Sequence, residues 1–123
     1  MQAKKEMEAI KGLSKKNNIF VGQEYETGRI INGKKEYAKM FEVEALPNVA
    51  GNKDIATGLT NITVTKLEGY IKGSSLISSI PFIYSAQNSV YHYVAPTQNR
   101  IVIRTTGDMS MYGATETLYY TKN

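Results

Sequence analysis

Two pairs of glutamates come closest to a catalytic arrangement in this chain. Glu24 with Glu26, and Glu42 with Glu44, stand two positions apart, so on a strand each pair points to one face. Paired carboxylates can hydrolyse a glycoside or hold Ca²⁺. A retaining glycosidase also needs an acid whose pKa is raised by burial, and the flanking residues do not promise such burial. We therefore predict that the pairs form solvent faces of amphipathic strands and that the protein is not an enzyme.

His92 is the only histidine, and the chain has no cysteine. These counts give no basis for a zinc site or a catalytic triad within one chain, and we predict no cofactor. Tyr91 and Tyr93 flank His92 in an apolar strand, so both tyrosines should share one face and the histidine should occupy the other. Three copies of His92 could bind a metal if three chains met on an axis. A packed or surface histidine is the competing interpretation.

The nine tyrosines are the other candidates for binding. Tyrosine combines a flat apolar face with a polar tip, which suits sugar stacking, subunit interfaces and core packing alike. Interface or core packing is expected for most of them, and alternation puts Tyr119 and Tyr120 on opposite faces of a strand. Tyr84 and Tyr112, with their loops, are the predicted ligand-binding residues, and a saccharide is the predicted ligand.

The net charge of +4 is concentrated at the N-terminus. Residues 1–16 carry five lysines and two glutamates, whereas residues 17–123 carry ten basic and nine acidic side chains. A nucleic-acid-binding domain usually needs a basic stripe across its folded face, so we predict no nucleic-acid partner. No run approaches the roughly 18 apolar residues of a membrane span, and charges interrupt any signal-peptide core. We expect neither membrane insertion nor export through a signal of its own.

The predicted elements divide the chain into an N-terminal helical arm, residues 1–18, and a β domain, residues 19–123. Ala3, Met7 and Ile10 follow one another at spacings of four and three, as in a short heptad seam. So short a helix is marginal alone in water and should need a partner. The body of its own chain could serve, and so could the same helix in neighbouring copies at the base of a fibre.

Turn chemistry indicates about seven short strands in the β domain. Asn32-Gly33 is the strongest signal, because a type I′ hairpin turn needs positive φ at both central residues. Pro47 should end the second arm of that hairpin, and residues 48–58 read as a long loop. The pattern favours an all-β antiparallel sandwich or barrel. The predicted strands are residues 24–31, 34–46, 61–68 (with a bulge or early end), 76–84, 90–95, 100–105 and 117–122.

Several segments resemble, in order, a C-terminal module of bacteriophage tail, baseplate and receptor-binding proteins. Residues 28–37 (Gly-Arg-Ile-Ile-Asn-Gly-Lys-Lys-Glu-Tyr) resemble its opening hairpin, "G-x-x-x-(D/N)-G-K-x-x-Y". Residues 45–48 and 55–62 resemble its "L-P" and "h-G-h-x-N-h" segments, where h is apolar. Residues 99–103 and 118–122 resemble its last strands. Family members often carry tryptophan in the first strand or near the last loop, and this chain has none.

The resemblance implies a jelly-roll-like antiparallel β-sandwich that assembles as a homotrimer behind a helical shaft. It implies a structural and adhesive module of a virion surface fibre, made in the bacterial host cytoplasm. Its other partners would be virion proteins, reached through the N-terminal end, and a host surface polysaccharide. The alternative is a monomeric carbohydrate-binding module of a cell-wall-active enzyme. Aromatic side chains lying on one exposed face would favour that alternative.

Overall fold

The computed structural model describes residues 19–95 and 99–123, and every regular element in these ranges is a β-strand. The predicted helical arm, residues 1–18, lies outside the described residues. The described residues form nine strands, where the sequence predicts about seven. Their bounds are β1 Tyr25–Ile31, β2 Lys34–Val43, β3 Gly51–Ala56, β4 Ile62–Lys72, β5 Ile77–Ser79, β6 Phe82–Ser85, β7 Asn88–Ala95, β8 Arg100–Thr105 and β9 Gly113–Lys122.

The strands form two antiparallel sheets. The five-stranded sheet has the order β1-β2-β9-β4-β5, and the four-stranded sheet has the order β3-β8-β7-β6. Strand β9 is the centre of the larger sheet, where it pairs with β2 from Val43↔Ala114 to Glu36↔Thr121 and with β4 along its whole length. The final strand of the chain therefore joins two hairpins that lie far apart in sequence.

The buried apolar cluster draws on both sheets. Ile71, Leu118 and Tyr120 come from the larger sheet, and Ile101 and Ile103 come from the smaller one; all five side chains are buried. Along β9 the buried Leu118 and Tyr120 alternate with partly exposed side chains, which is the period of two that a strand imposes. Tyr120 thus faces the core while Tyr119 points the other way, as alternation predicts for these two tyrosines.

The predicted turn at Asn32-Gly33 is confirmed. Both residues have positive φ, 49° for Asn32 and 78° for Gly33, and Ile31 pairs with Lys34 across the turn. These are the backbone angles that a type I′ turn requires and that most side chains resist. The hairpin of β1 and β2 is therefore specified locally.

The prediction of a loop over residues 48–58 is wrong in its middle, because Gly51–Ala56 form β3. Its first four residues are Gly-Asn-Lys-Asp, which have low β-propensity. All six residues nevertheless pair with β8. As an edge strand, β3 leaves polar side chains in solvent, and the ladder to β8 overrides the weak local preference.

The predicted strand over residues 76–84 is two strands in different sheets. Strand β5 pairs with β4 in the larger sheet, and β6 pairs with β7 in the smaller one. Pro81 stands between them and has no N–H for a ladder. The chain thus changes sheets at the proline. The predicted irregularity in residues 61–68 is confirmed as a register shift between Val64 and Lys66.

The hairpin's second arm ends at Val43, three residues before the predicted end at Leu46. Pro47 lies in the connection to β3, where its carbonyl accepts a hydrogen bond from the backbone N of Met109 at 3.0 Å. The backbone N of Leu46 donates to the carbonyl of Tyr112 at 2.9 Å. The segment after β2 therefore fixes residues 106–112, the loop that leads into β9.

Replacement of Gly33 by alanine should destabilise the protein by about 1–2 kcal/mol, because an alanine at positive φ carries a steric cost of that size. No atom lies within 4 Å of the added methyl group, so the cost is conformational alone. Gly51→Ala is the matched control, since Gly51 also has open space but no positive φ. Urea unfolding of both variants tests this, and equal destabilisation would contradict the turn assignment.

Candidate functional site

A groove beside edge strand β6 contains both tyrosines that the sequence analysis selects for ligand binding. It has a volume of about 370 Å³, within the usual range for small-ligand sites. Three parts of the chain build it: the turn after β4, strand β6 with the start of β7, and the loop before β9. Its lining residues are Leu76, Phe82, Tyr84, Asn88, Met109, Met111 and Tyr112.

We call this groove the aromatic groove, and Tyr112 forms the wall whose position is fixed. Its backbone is held at both ends, by the hydrogen bond from Leu46 and by its own N–H donated to the carbonyl of Met109 at 3.0 Å. Its ring packs against Phe82 with centroids 6.5 Å apart and an interplanar angle of 57°. A β-carbon at Gly73 would lie 2.7 Å from the same ring. The glycine in the β4–β5 turn therefore makes room for Tyr112.

Tyr84 and Met111 form the open side of the groove. Tyr84 is 78% exposed on the edge strand, and Met111 is also exposed, whereas Met109 beneath them is buried in the core. Asn88 supplies the polar group and donates its amide to Ser85 Oγ at 3.0 Å. The lining includes no carboxylate, histidine or lysine, and its titratable groups are the two tyrosine hydroxyls, so the groove is suited to stacking on a ligand and desolvating it.

His92 lies between the two sheets, on the opposite face of β7 from Tyr91 and Tyr93, as alternation predicts. Its side chain is 12% exposed, and Nδ1 lies 2.8 Å and 2.9 Å from the carboxylate oxygens of Glu116 on β9. The described residues contain no group of three or more metal-ligating side chains. The metal on a trimer axis remains a prediction, and a histidine that faces a carboxylate of its own chain gives it no support.

Glu116 is the residue that sequence reasoning misses. Its side chain is 0% exposed, and burial raises its pKa, an effect that the hydrogen bond and charge of His92 oppose. Gly69 is its register partner on β4, and a β-carbon there would lie 2.5 Å from the carboxylate. Gly69 follows the predicted strand of residues 61–68 but in fact lies inside β4, where it leaves the space that the carboxylate fills.

The glutamate pairs of the sequence analysis have separate surroundings. Glu42 and Glu44 are exposed, and Glu26 forms an exposed ion pair with Lys35. Glu24 accepts hydrogen bonds from the Tyr120 hydroxyl at 2.6 Å and from Lys122 Nζ at 2.7 Å. Burial opposes ionisation of Glu24, but those bonds outweigh it and lower its pKa. Glu24 therefore lacks the raised pKa that a general acid requires.

A second buried carboxylate, Glu36, lies on the outer face of the larger sheet. It accepts hydrogen bonds from Thr27 Oγ1 at 2.9 Å and from Thr65 Oγ1 at 2.8 Å. Burial opposes its ionisation, while these hydroxyls and the guanidinium of Arg29 favour it, and the net effect is a lowered pKa. Glu36 thus joins β1, β2 and β4 across one face and serves a structural purpose.

Comparison of the chain with models of protein families, with curated proteins and with solved structures found no match. In residues 19–95 and 99–123, no helix has the length and apolarity needed to cross a membrane. Function must therefore be inferred from residue chemistry and geometry.

The buried Glu116 predicts a pH dependence of stability. Because its pKa is raised in the folded state, folding takes up a proton, and the free energy of unfolding should fall as pH rises from the ordinary glutamate value of about 4.3 through the raised value. Glu116→Gln should remove this decline, because the amide stays neutral. Urea unfolding over a pH series measures it.

Glu42→Gln is the control for this prediction, because it removes an exposed carboxylate and should leave the decline in place. Equal pH slopes for the wild type and the Glu116→Gln variant would show that ionisation of Glu116 does not limit stability.

Proposed function

We propose that this chain is a structural and adhesive module of a phage virion fibre that binds a host-surface saccharide in the aromatic groove. The groove of Tyr84, Tyr112 and the two methionines is the observation that carries the adhesive part. The phage context rests on the resemblance of the hairpin and of the later segments. The two antiparallel sheets are taken to form a jelly-roll-like β-sandwich, because the buried cluster draws on both of them.

A saccharide suits the groove better than a purely apolar ligand does. Tyrosine rings offer flat faces for the C–H side of a pyranose, and Tyr84 also carries a hydroxyl at the open side. The Asn88 amide can bond to sugar hydroxyls at the same edge. Since the lining holds no carboxylate pair of the kind that glycosidases use, the proposed activity is binding without hydrolysis.

The mechanism is avidity in a homotrimer. A single shallow groove that holds one or two sugar units should bind weakly, with a dissociation constant of the order of millimolar. Three linked copies raise the effective affinity without any new contact, provided that they reach neighbouring sugars together. The N-terminal end would connect the module to the rest of the virion.

A monomeric carbohydrate-binding module of a cell-wall-active enzyme is the second candidate. Tyr91 and Tyr93 favour it, because both are exposed on the outer face of the four-stranded sheet. Aromatic side chains on one exposed sheet face suit binding to an extended polysaccharide. Both candidates bind a saccharide, but they differ in oligomeric state and in the surface that binds it.

Tyr84→Ala should weaken saccharide binding about tenfold, because it removes one stacking face worth about 1.4 kcal/mol. NMR titration of the labelled protein with neutral oligosaccharides of glucose, galactose and N-acetylglucosamine provides the measurement. Tyr70→Ala is the matched control, since Tyr70 is an exposed tyrosine of β4 outside the groove. Binding that depends equally on Tyr70 and Tyr84 would count against the groove.

Light scattering tests the oligomeric state of the 123-residue chain. The fibre proposal predicts three times 13.7 kDa. Deletion of residues 1–16 then separates the two parts of the chain, because a trimer that persists must be held by the β domain. A clean monomer at tens of micromolar would reject the fibre proposal and favour the carbohydrate-binding module.

A further inference from the structure

The outer face of the four-stranded sheet carries two exposed tyrosines beside an arginine. Tyr91 is 38% exposed and Tyr93 is 49% exposed, both on β7. Arg104 on β8 is the register partner of Tyr91, and Asn52 on β3 is the register partner of Arg104. Neighbouring strands lie about 4.8 Å apart, so these side chains form a continuous row across three strands.

Arg104 is a cation without a protein partner within the described residues. It is exposed, and it forms no ion pair or side-chain hydrogen bond in residues 19–95 and 99–123. Arg100 is the other arginine of this face, and its Nη1 lies 3.5 Å from Oδ2 of Asp54. The single carboxylate of the face is thereby engaged, so Arg104 leaves a local excess of positive charge.

A depression surrounds Arg104. Its volume is about 460 Å³, and most of its accessible surface is polar. Tyr93 and Arg104 bound it on the sheet face, and Asn52 adds an amide at the edge strand. Thr105, the last residue of β8, and Thr106, which follows it, line the end of the depression.

We propose that this depression binds an anionic pyranose, a sugar unit that carries a carboxylate or a phosphate. The planar guanidinium of Arg104 can donate two parallel hydrogen bonds to either anion. The ring of Tyr93 can stack on the apolar face of the sugar, and the Asn52 amide can bond to its hydroxyls. An unpaired guanidinium beside a stacking face distinguishes this site from the aromatic groove, which offers no charge.

The site is independent of the fibre proposal, because it shares no residue with the aromatic groove; Tyr93 is the residue that it shares with the surface of the second candidate. Experiments can therefore reject binding at one surface without rejecting binding at the other. The arginine beside an exposed ring also favours an anionic over a neutral polysaccharide, because only the anion gains an ion pair with the guanidinium. Ion pairing at an exposed arginine should make the binding salt-dependent.

NMR titration of the full 123-residue chain tests the inference with three probes. Oligogalacturonate carries the carboxylate, its methyl ester keeps the ring and removes the charge, and galactose 6-phosphate carries the phosphate. We expect shifts at Asn52, Tyr93 and Arg104 with oligogalacturonate, with galactose 6-phosphate, or with both, and about tenfold weaker binding of the methyl ester. The better of the two anionic probes identifies the source of the charge.

Arg104→Gln and Lys53→Gln form the matched pair of variants. Each removes one exposed positive charge, but Lys53 occupies the opposite face of β3, as the register partner of the buried Ile103. Arg104→Gln should weaken anionic-sugar binding about tenfold, and Lys53→Gln should leave it unchanged. Tyr93→Phe should retain binding, and Tyr93→Ala should lose it.

Three results would overturn the inference. The first is no shift with either anionic probe at millimolar concentration. The second is equal binding of oligogalacturonate and its methyl ester, or equal effects of Arg104→Gln and Lys53→Gln. The third is a loss of anionic-sugar binding in the Tyr84→Ala variant while the Arg104→Gln variant binds as the wild type does. That result would assign the ligand to the aromatic groove and so support the proposed function instead.

Discussion

The double pairing of β9 is the constraint on which the rest of the structure depends. Strand β9 is hydrogen-bonded to β2 on one side and to β4 on the other, so the larger sheet has no centre until the final strand is in place. The pairing of Glu36 with Thr121 joins positions near the two ends of the described chain. Such distant contacts cost loop-closure entropy before any burial compensates for it, so folding should be slow for a chain of this size.

Glu116 links this central strand to the smaller sheet. A buried carboxylate with a histidine partner is seldom a net source of stability, because desolvation costs about as much as the pairing returns. Glu116 instead restricts the register of β4 against β9, because of the residue that it faces on β4. Gly69 must face Glu116, and a slip by one residue would bring the β-carbon of Glu68 or Tyr70 against the carboxylate. We infer that the glycine and the glutamate together specify the alignment of the sheet.

Local chemistry explains what the sequence predicts and what it does not. The Asn32-Gly33 turn and the strand Arg100–Thr105 are specified by neighbouring residues, and both are predicted. Strand β3 is not, because its polar residues form a strand only against β8. The pairing of Glu116 with His92 joins two sheets, and the Thr-Glu-Thr context of Glu116 reads as a solvent face. Tyr84 and Tyr112 are each predicted as ligand-binding residues. Their shared groove is not, because it forms only where the chain passes at Pro81 from β5 in the larger sheet to β6 in the smaller one.

The two candidate binding surfaces differ in how freely amino-acid substitutions can alter their shape. The outer-face site is a row of side chains on three paired strands, so its spacing is fixed by the ladders and only residue types can vary. Residues 106–112 form one side of the aromatic groove. Backbone hydrogen bonds to Leu46 and Pro47 hold this loop, and such bonds do not depend on the types of its side chains. Substitutions in that loop can reshape the groove while β9 keeps its register. The buried Met109 limits this freedom, because it belongs to both the groove and the core. Substitutions at the exposed Tyr84 and Met111 should therefore change ligand specificity at less cost to folding than substitutions at Tyr112 or Met109.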